Sequence, residues 1–153
     1  MRSYEQRMNG IVVAMAAFLA IGVAARAQAP AWDQLPADPN EVSVGLIQQD
    51  SSDCTNTTVK DDPSRTRGGQ IWVTRSGGTT TVRVAMTVTP DTTYHFFLKC
   101  VRALGDIRTD SEGVGMASFD FQTSSVGSTY AFDMYPDGAP SGNKFQSLTV
   151  TFK

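Results

Sequence analysis

Between residues 41 and 153, hydrophobic side chains recur at every second position, in short runs broken by glycine, proline and small polar residues. Successive residues of an extended strand point to opposite faces, so a period of two describes strands with one buried and one exposed side. No stretch after residue 27 carries the 3.6-residue repeat of an amphipathic helix. Val42, Val44 and Leu46 alternate with Glu41, Ser43 and Gly45. Residues 70–76 (QIWVTRS) and 79–88 (TTTVRVAMTV) flank Gly77-Gly78, a pair suited to the positive φ angles of a two-residue hairpin. In the second run Val82, Val84, Met86 and Val88 share one face, opposite Arg83, Ala85 and Thr87. Residues 93–101 (TYHFFLKCV) place Tyr94, Phe96, Leu98 and Cys100 together on an inward face. A short strand near 106–110, a turn at Ser111-Glu112-Gly113 and a strand over 115–121 read as a second hairpin, with Ala117, Phe119 and Phe121 inward. Runs at 129–134 (TYAFDM) and 145–152 (FQSLTVTF) complete the set, and 55–60 (TNTTVK) is a weaker, Thr-rich candidate. Eight or nine short strands predict an all-β domain over 41–153, built as a two-sheet antiparallel β-sandwich. The same alternation would serve a closed, lipocalin-like barrel, which stays open as the alternative.

The N-terminus follows a different logic. Arg2 and Arg7 precede the apolar run 11–24 (IVVAMAAFLAIGVA), and Ala25-Arg26-Ala27 supplies small residues in cleavage-site spacing. This is the pattern of a secretory signal peptide over residues 1–27. Cleavage after Ala29 would leave Pro30 next to the cut, so cleavage after Ala27 is preferred. The run is shorter than the roughly 18 to 20 residues that span a bilayer, which weighs against a retained membrane anchor. Residues 28–40, with Pro30, Pro36 and Pro39, read as a linker in which Trp32 could pack back. A periplasmic or extracellular protein is expected, without stable membrane insertion after cleavage.

In such an oxidising compartment, Cys54 and Cys100 are expected to form a disulfide. Metal or redox ligation is the competing reading, and the wide spacing and lack of a histidine cluster weigh against it. Residues 28–153 carry ten Lys and Arg against fourteen Asp and Glu. That acidic balance disfavours a nucleic-acid partner.

One local motif has a recognisable geometry. Val88-Thr89-Pro90-Asp91-Thr92-Thr93-Tyr94 has apolar-x-Pro-x-Thr-x-Tyr spacing and resembles the tyrosine corner of fibronectin type III and related immunoglobulin-like domains. The resemblance implies that Pro90 stiffens a crossing between sheets and that the Tyr94 hydroxyl bonds back to the chain upstream. It implies an immunoglobulin-like or related Greek-key sandwich. The layout departs from that family, because about four strand-like segments follow Tyr94 where the family has fewer. Together with Leu104-Gly105-Asp106 and Thr109-Asp110 before a glycine turn, the pattern is similar to small exported bacterial β-sandwich domains, a resemblance that brings no activity with it.

Catalytic chemistry finds little to stand on. His95 is the sole histidine; it should face away from Tyr94 and Phe96, and it cannot alone supply a zinc site. No nucleophile elbow or phosphate-binding loop accompanies it. Asp61-Asp62 reads as a solvated turn. Asp106, Asp110 and Glu112, with Asp133 and Asp137, were weighed as calcium ligands, but they lack the loop spacing of a calcium site and suit turn chemistry better. Asn56-Thr57-Thr58 matches a glycosylation sequon, a motif common by chance. No catalytic residue, metal or cofactor is therefore expected. The long loop 135–144 (YPDGAPSGNK) is the candidate contact surface, with Tyr135, Pro136, Asp137, Asn143 and Lys144 as its binding residues, against the plainer reading of a crossover connection. A binding or structural module for a protein or a glycan is the leading expectation. A small periplasmic enzyme or accessory domain is the alternative, and edge-to-edge pairing of copies is a third.

Overall fold

The computed structural model describes residues 40–50, 54 and 59–152. The expected signal peptide, the expected linker except Asn40, and positions 55–58 of the Thr-rich run lie outside them; Val59 and Lys60 are not in a strand. The described strands are β1 (Glu41–Gln48), β2 (Arg67–Ser76), β3 (Thr79–Thr87), β4 (Thr93–Leu98), β5 (Arg102–Arg108), β6 (Val114–Gln122), β7 (Thr129–Tyr130), β8 (Phe132–Pro136), β9 (Phe145–Ser147) and β10 (Val150–Thr151). Every pairing among them is antiparallel.

The architecture is all-β, but not the expected pair of stacked sheets. One eight-stranded sheet runs in the order β5-β4-β8-β9-β1-β2-β3-β6, and β7 and β10 form a separate two-stranded ribbon. The two ends of the large sheet, β5 and β6, are joined by the tight turn at 109–113, so the sheet curls nearly closed into a barrel. Right-handed twist makes an eight-stranded sheet curl, and closure covers edges that would otherwise stay unpaired. Two glycines let the ends approach. A Cβ on Gly105 would stand 2.6 Å from the Phe119 ring, and one on Gly115 would stand 3.1 Å from Ile107.

The interior is the inward half of the alternation. Leu46, Ile71, Val73, Val82, Val84, Tyr94, Phe96, Leu98, Phe132 and Met134 are completely buried. Phe96 stacks between Phe119 and Phe132, with both centroid separations 5.3 Å and both planes inclined by 14°. The inward set of the second hairpin agrees with the pattern, since Phe121 is buried and Ala117 and Phe119 pack against the core. Gly77 and Gly78 sit at φ +56° and +82°, as the β2–β3 hairpin requires.

One barrel end is closed by two connections zipped together. The β3–β4 corner and the β5–β6 turn exchange backbone bonds from Val88 N–H to Gly113 C=O and from Thr109 N–H to Thr92 C=O, each 2.9 Å. Buried Thr109 donates its hydroxyl to Thr89 C=O at 2.7 Å and accepts Thr92 N–H at 2.9 Å. Within the corner, Thr89 N–H reaches the Tyr94 hydroxyl at 3.3 Å, and that hydroxyl donates to Asn143 Oδ1.

Five strand-level expectations need correction. Strand β4 stops at Leu98, and Cys100 lies in the turn to β5 with φ +59°, exposed rather than facing the core. Val101 N–H bonds Leu98 C=O there, so the chain reverses before the alternation reaches Cys100. The run 129–134 is broken at Ala131, and 145–152 is broken after Ser147, because each run leaves the barrel to join the β7–β10 ribbon. The first hairpin strand near 106–110 begins earlier, at Arg102, and ends at Arg108. Finally, Tyr135 and Pro136 belong to β8, paired with His95 and Tyr94, so the loop starts at Asp137.

Candidate functional site

Strands β5, β4 and β8 lie side by side, and their outward residues build one surface. In β4 the even positions Tyr94, Phe96 and Leu98 fill the barrel, which leaves His95 and Phe97 outside. In β8 Phe132 and Met134 go inward, which sends Asp133 and Tyr135 to the same outer face. The register sets Phe97 opposite Asp133, and His95 opposite Tyr135 on one side and Asp106 on the other. The diagonal neighbours Phe97 and Tyr135 stack at 4.9 Å with planes 17° apart. Beside them runs a groove of about 540 Å³, whose lining includes this pair, Asp133, the bonded Cys54 and Cys100, Arg102, Lys144 and Asp50.

The polar groups of the groove are held rather than loose. Asp50 accepts Gly142 N–H at 2.8 Å and the Ser141 hydroxyl at 2.9 Å. These bonds, the backbone one first, keep its carboxyl below the ordinary range. Asp133 is buried on the outer face, 3.7 Å from the ammonium of Lys99, which in turn donates to Gln146 Oε1 at 2.6 Å. Burial raises the Asp133 carboxyl above its ordinary value, with Lys99 pulling the other way. Asp133 Oδ1 accepts no hydrogen bond. The Lys99 ammonium compensates it by charge rather than by a hydrogen bond. Burial, and then the neighbouring Asp133, also raise the Tyr135 phenol.

At the other end of this face His95 is clamped. Its Nδ1 lies 2.7 Å from Asp106 Oδ1 and its Nε2 lies 2.9 Å from Asp137 Oδ1. Carboxylates only accept, so both contacts are hydrogen bonds only when both ring nitrogens carry protons. The bond to Asp106 first, and that to Asp137 second, therefore raise the imidazole above its ordinary value. A folded-state value raised above the unfolded one stabilises the fold fully below the unfolded value of about 6.5, and this contribution disappears as pH rises through the folded value. NMR titration of the His95 ring is expected to give a midpoint above that of a free imidazole. Asp106→Asn and Asp137→Asn should each lower it. A midpoint unmoved by either change would contradict the clamp.

The five loop residues expected to bind divide into two groups. Tyr135 and Lys144 line the groove. Asp137, fully exposed, holds His95. Pro136 is buried in β8 against Tyr94. Asn143 turns its side-chain oxygen to the hydroxyls of Tyr94 and, at 3.2 Å, Thr89, which makes it part of the corner. Pro90 lies in that corner, and Cys54 and Cys100 are bonded to each other. Phe97, Arg102 and Asp50 were not singled out from the sequence, and Asp133 was considered only as a calcium ligand. The alternation of β4 does mark Phe97 as an outward aromatic, whereas nothing local marks Asp50 or Asp133 as its neighbours.

Of the carboxylates considered for calcium, Asp110 serves a turn, Asp106 and Asp137 hold His95, and Asp133 pairs with Lys99. Asp110 Oδ1 accepts Glu112 N–H and Val114 N–H, each at 2.9 Å. Asp61 pairs with Arg67, and Asp62 accepts the Ser64 hydroxyl at 2.7 Å. No cluster of three or more metal-ligating side chains occurs among the described residues, and no helix among them is long and apolar enough to cross a membrane. No protein-family model matches this chain, and no curated protein is significantly similar to it.

Proposed function

We propose that this protein is an exported, non-enzymatic binding module whose ligand, a protein or a glycan, lies in the groove beside Phe97 and Tyr135. The observation that carries the reading is the composition of that groove. It combines a half-buried aromatic pair with a few charged groups, among which Asp50 is fixed by hydrogen bonds from Ser141 and Gly142. Small-molecule and glycan sites are built this way, from apolar surface that supplies affinity and sparse polar groups that set orientation. The Cys54–Cys100 bridge is compatible with delivery by a signal peptide over residues 1–27 to the periplasm or the extracellular space.

The enzyme reading has one observation in its favour, the imidazole set between two carboxylates. Its chemistry points elsewhere. A general base needs a ring nitrogen free to receive a proton, and both nitrogens of His95 are engaged. The clamp instead ties the start of the 137–144 loop to β4 and β5.

Fractionated cell-envelope extract, titrated into isotopically labelled protein, tests the proposal. Amide shifts are expected at Phe97, Asp133, Tyr135 and Lys144, with the bound component recovered unchanged. Product formation that disappears in His95→Ala would replace the binding reading with the enzymatic one.

A further inference from the structure

Resting on the groove as the binding surface, we infer that its ligand is a neutral oligosaccharide. Three observations converge on that class. The first is charge. Asp50, Asp133, Arg102 and Lys144 line the groove, two of each sign, so neither a polyanion nor a polycation is complemented. A hydroxyl both donates and accepts, and a chain of hydroxyls can satisfy carboxylates and cations in alternation.

The second is the state of Asp133. It is buried and lines the groove, its Oδ1 accepts no hydrogen bond, and the Lys99 ammonium at 3.7 Å is beyond hydrogen-bond distance. A hydroxyl arriving from the groove can donate to the part of the carboxylate that stays exposed, 11% of the side chain. The third is the wall. Phe97 and Tyr135 stand as a stacked, partly exposed pair beside that carboxylate, and a sugar ring presents a C–H face to such a surface and hydroxyls around its rim.

An extended peptide is the weaker fit. Peptides gain affinity on sheets by pairing with a free strand edge. The groove lies on the face of β4 and β8, and each of these is already paired on both sides: β4 with β5 and β8, β8 with β4 and β9. The volume of about 540 Å³ falls within the range of small-ligand sites.

The test uses the full chain, purified with its disulfide intact. The probes are neutral hexasaccharides of glucose, mannose, galactose, xylose and N-acetylglucosamine, beside hexagalacturonate, hexalysine and hexaglutamate. At least one neutral hexasaccharide is expected to bind, with amide shifts centred on Phe97, Asp133 and Tyr135. Affinity should fall at least tenfold in Tyr135→Ala and in Asp133→Asn, and should stay unchanged in Trp72→Ala, which alters an aromatic on β2. Asp133→Asn keeps the side-chain volume, and near-UV circular dichroism would verify that each variant is folded; Tyr135→Leu serves if the alanine variant is not.

Shifts at the groove produced only by a charged probe would overturn the saccharide assignment and leave the binding reading standing. Saccharide binding that survives both groove variants would overturn the assignment as well. If no probe shifts the groove residues, the assignment falls, and the envelope-extract titration separately decides the fate of the binding reading.

Discussion

Replacing Phe96 by alanine is expected to lower the unfolding free energy by about 3–5 kcal/mol, while the same change at Phe97 costs about 1 kcal/mol. The two residues are adjacent in sequence and have opposite roles. Phe96 is completely buried, and its ring is the middle layer of a stack whose outer members, Phe119 and Phe132, come from β6 and β8. Its loss opens a cavity where strands from distant parts of the sheet meet, and a closed barrel has little freedom to collapse around it. Phe97 lies on the outer face, half-buried, with Tyr135 as its main ring partner. Urea denaturation gives both numbers, and the Phe96 change should lower the melting temperature by on the order of 10–20 °C. Equal costs at the two positions would mean that the alternation along β4 does not divide core from surface as described.

Breaking the disulfide is the second large effect. Cys54 and Cys100 are 46 residues apart, and closing such a loop restricts the unfolded chain by about 4 kcal/mol in chain-entropy reasoning. The Cys54→Ser, Cys100→Ser double variant is expected to lose about 2–4 kcal/mol, read from urea curves fitted with their own slope, which should rise as the freed denatured chain exposes more surface. The bridge also has a local task. It ties the connection between β1 and β2 to the exposed turn after β4, and both cysteines line the groove. Ligand affinity in the variant should therefore fall even under conditions where the barrel remains folded. A midpoint within about 0.5 kcal/mol of the parent would show that other contacts hold this connection.

The strands themselves were legible because their signals are local. The alternation of Val82, Val84 and Met86 and the Gly77-Gly78 turn each sit within ten residues, and the β2–β3 hairpin follows from them. The tyrosine corner was legible for the same reason, since Thr89 and Tyr94 are five residues apart. Misreadings occurred where the cause is remote. Cys100 continues the alternation of Tyr94, Phe96 and Leu98 in the sequence, yet the strand has already ended, because Lys99 N–H bonds Ala131 C=O and Val101 N–H returns to Leu98. Asn143 looked like an exposed loop residue, and its partner is the Tyr94 hydroxyl 49 positions away.

The choice between sandwich and barrel belongs to the same class. Period-two patterning states which side of a strand is buried and is silent about which strand lies beside it. In this chain the deciding pairings are β4 with β8 and β1 with β9, which set β5 and β6 at opposite ends of one sheet although a tight turn joins them. The groove is a product of those pairings, for Phe97, Asp133 and Asp50 come from three separate stretches of chain. Local alternation and turn chemistry were enough for an all-β chain and for which side of each strand is buried; the near-closure of the sheet, and the company Phe97 keeps outside it, depend on long-range contacts that no short window of sequence contains.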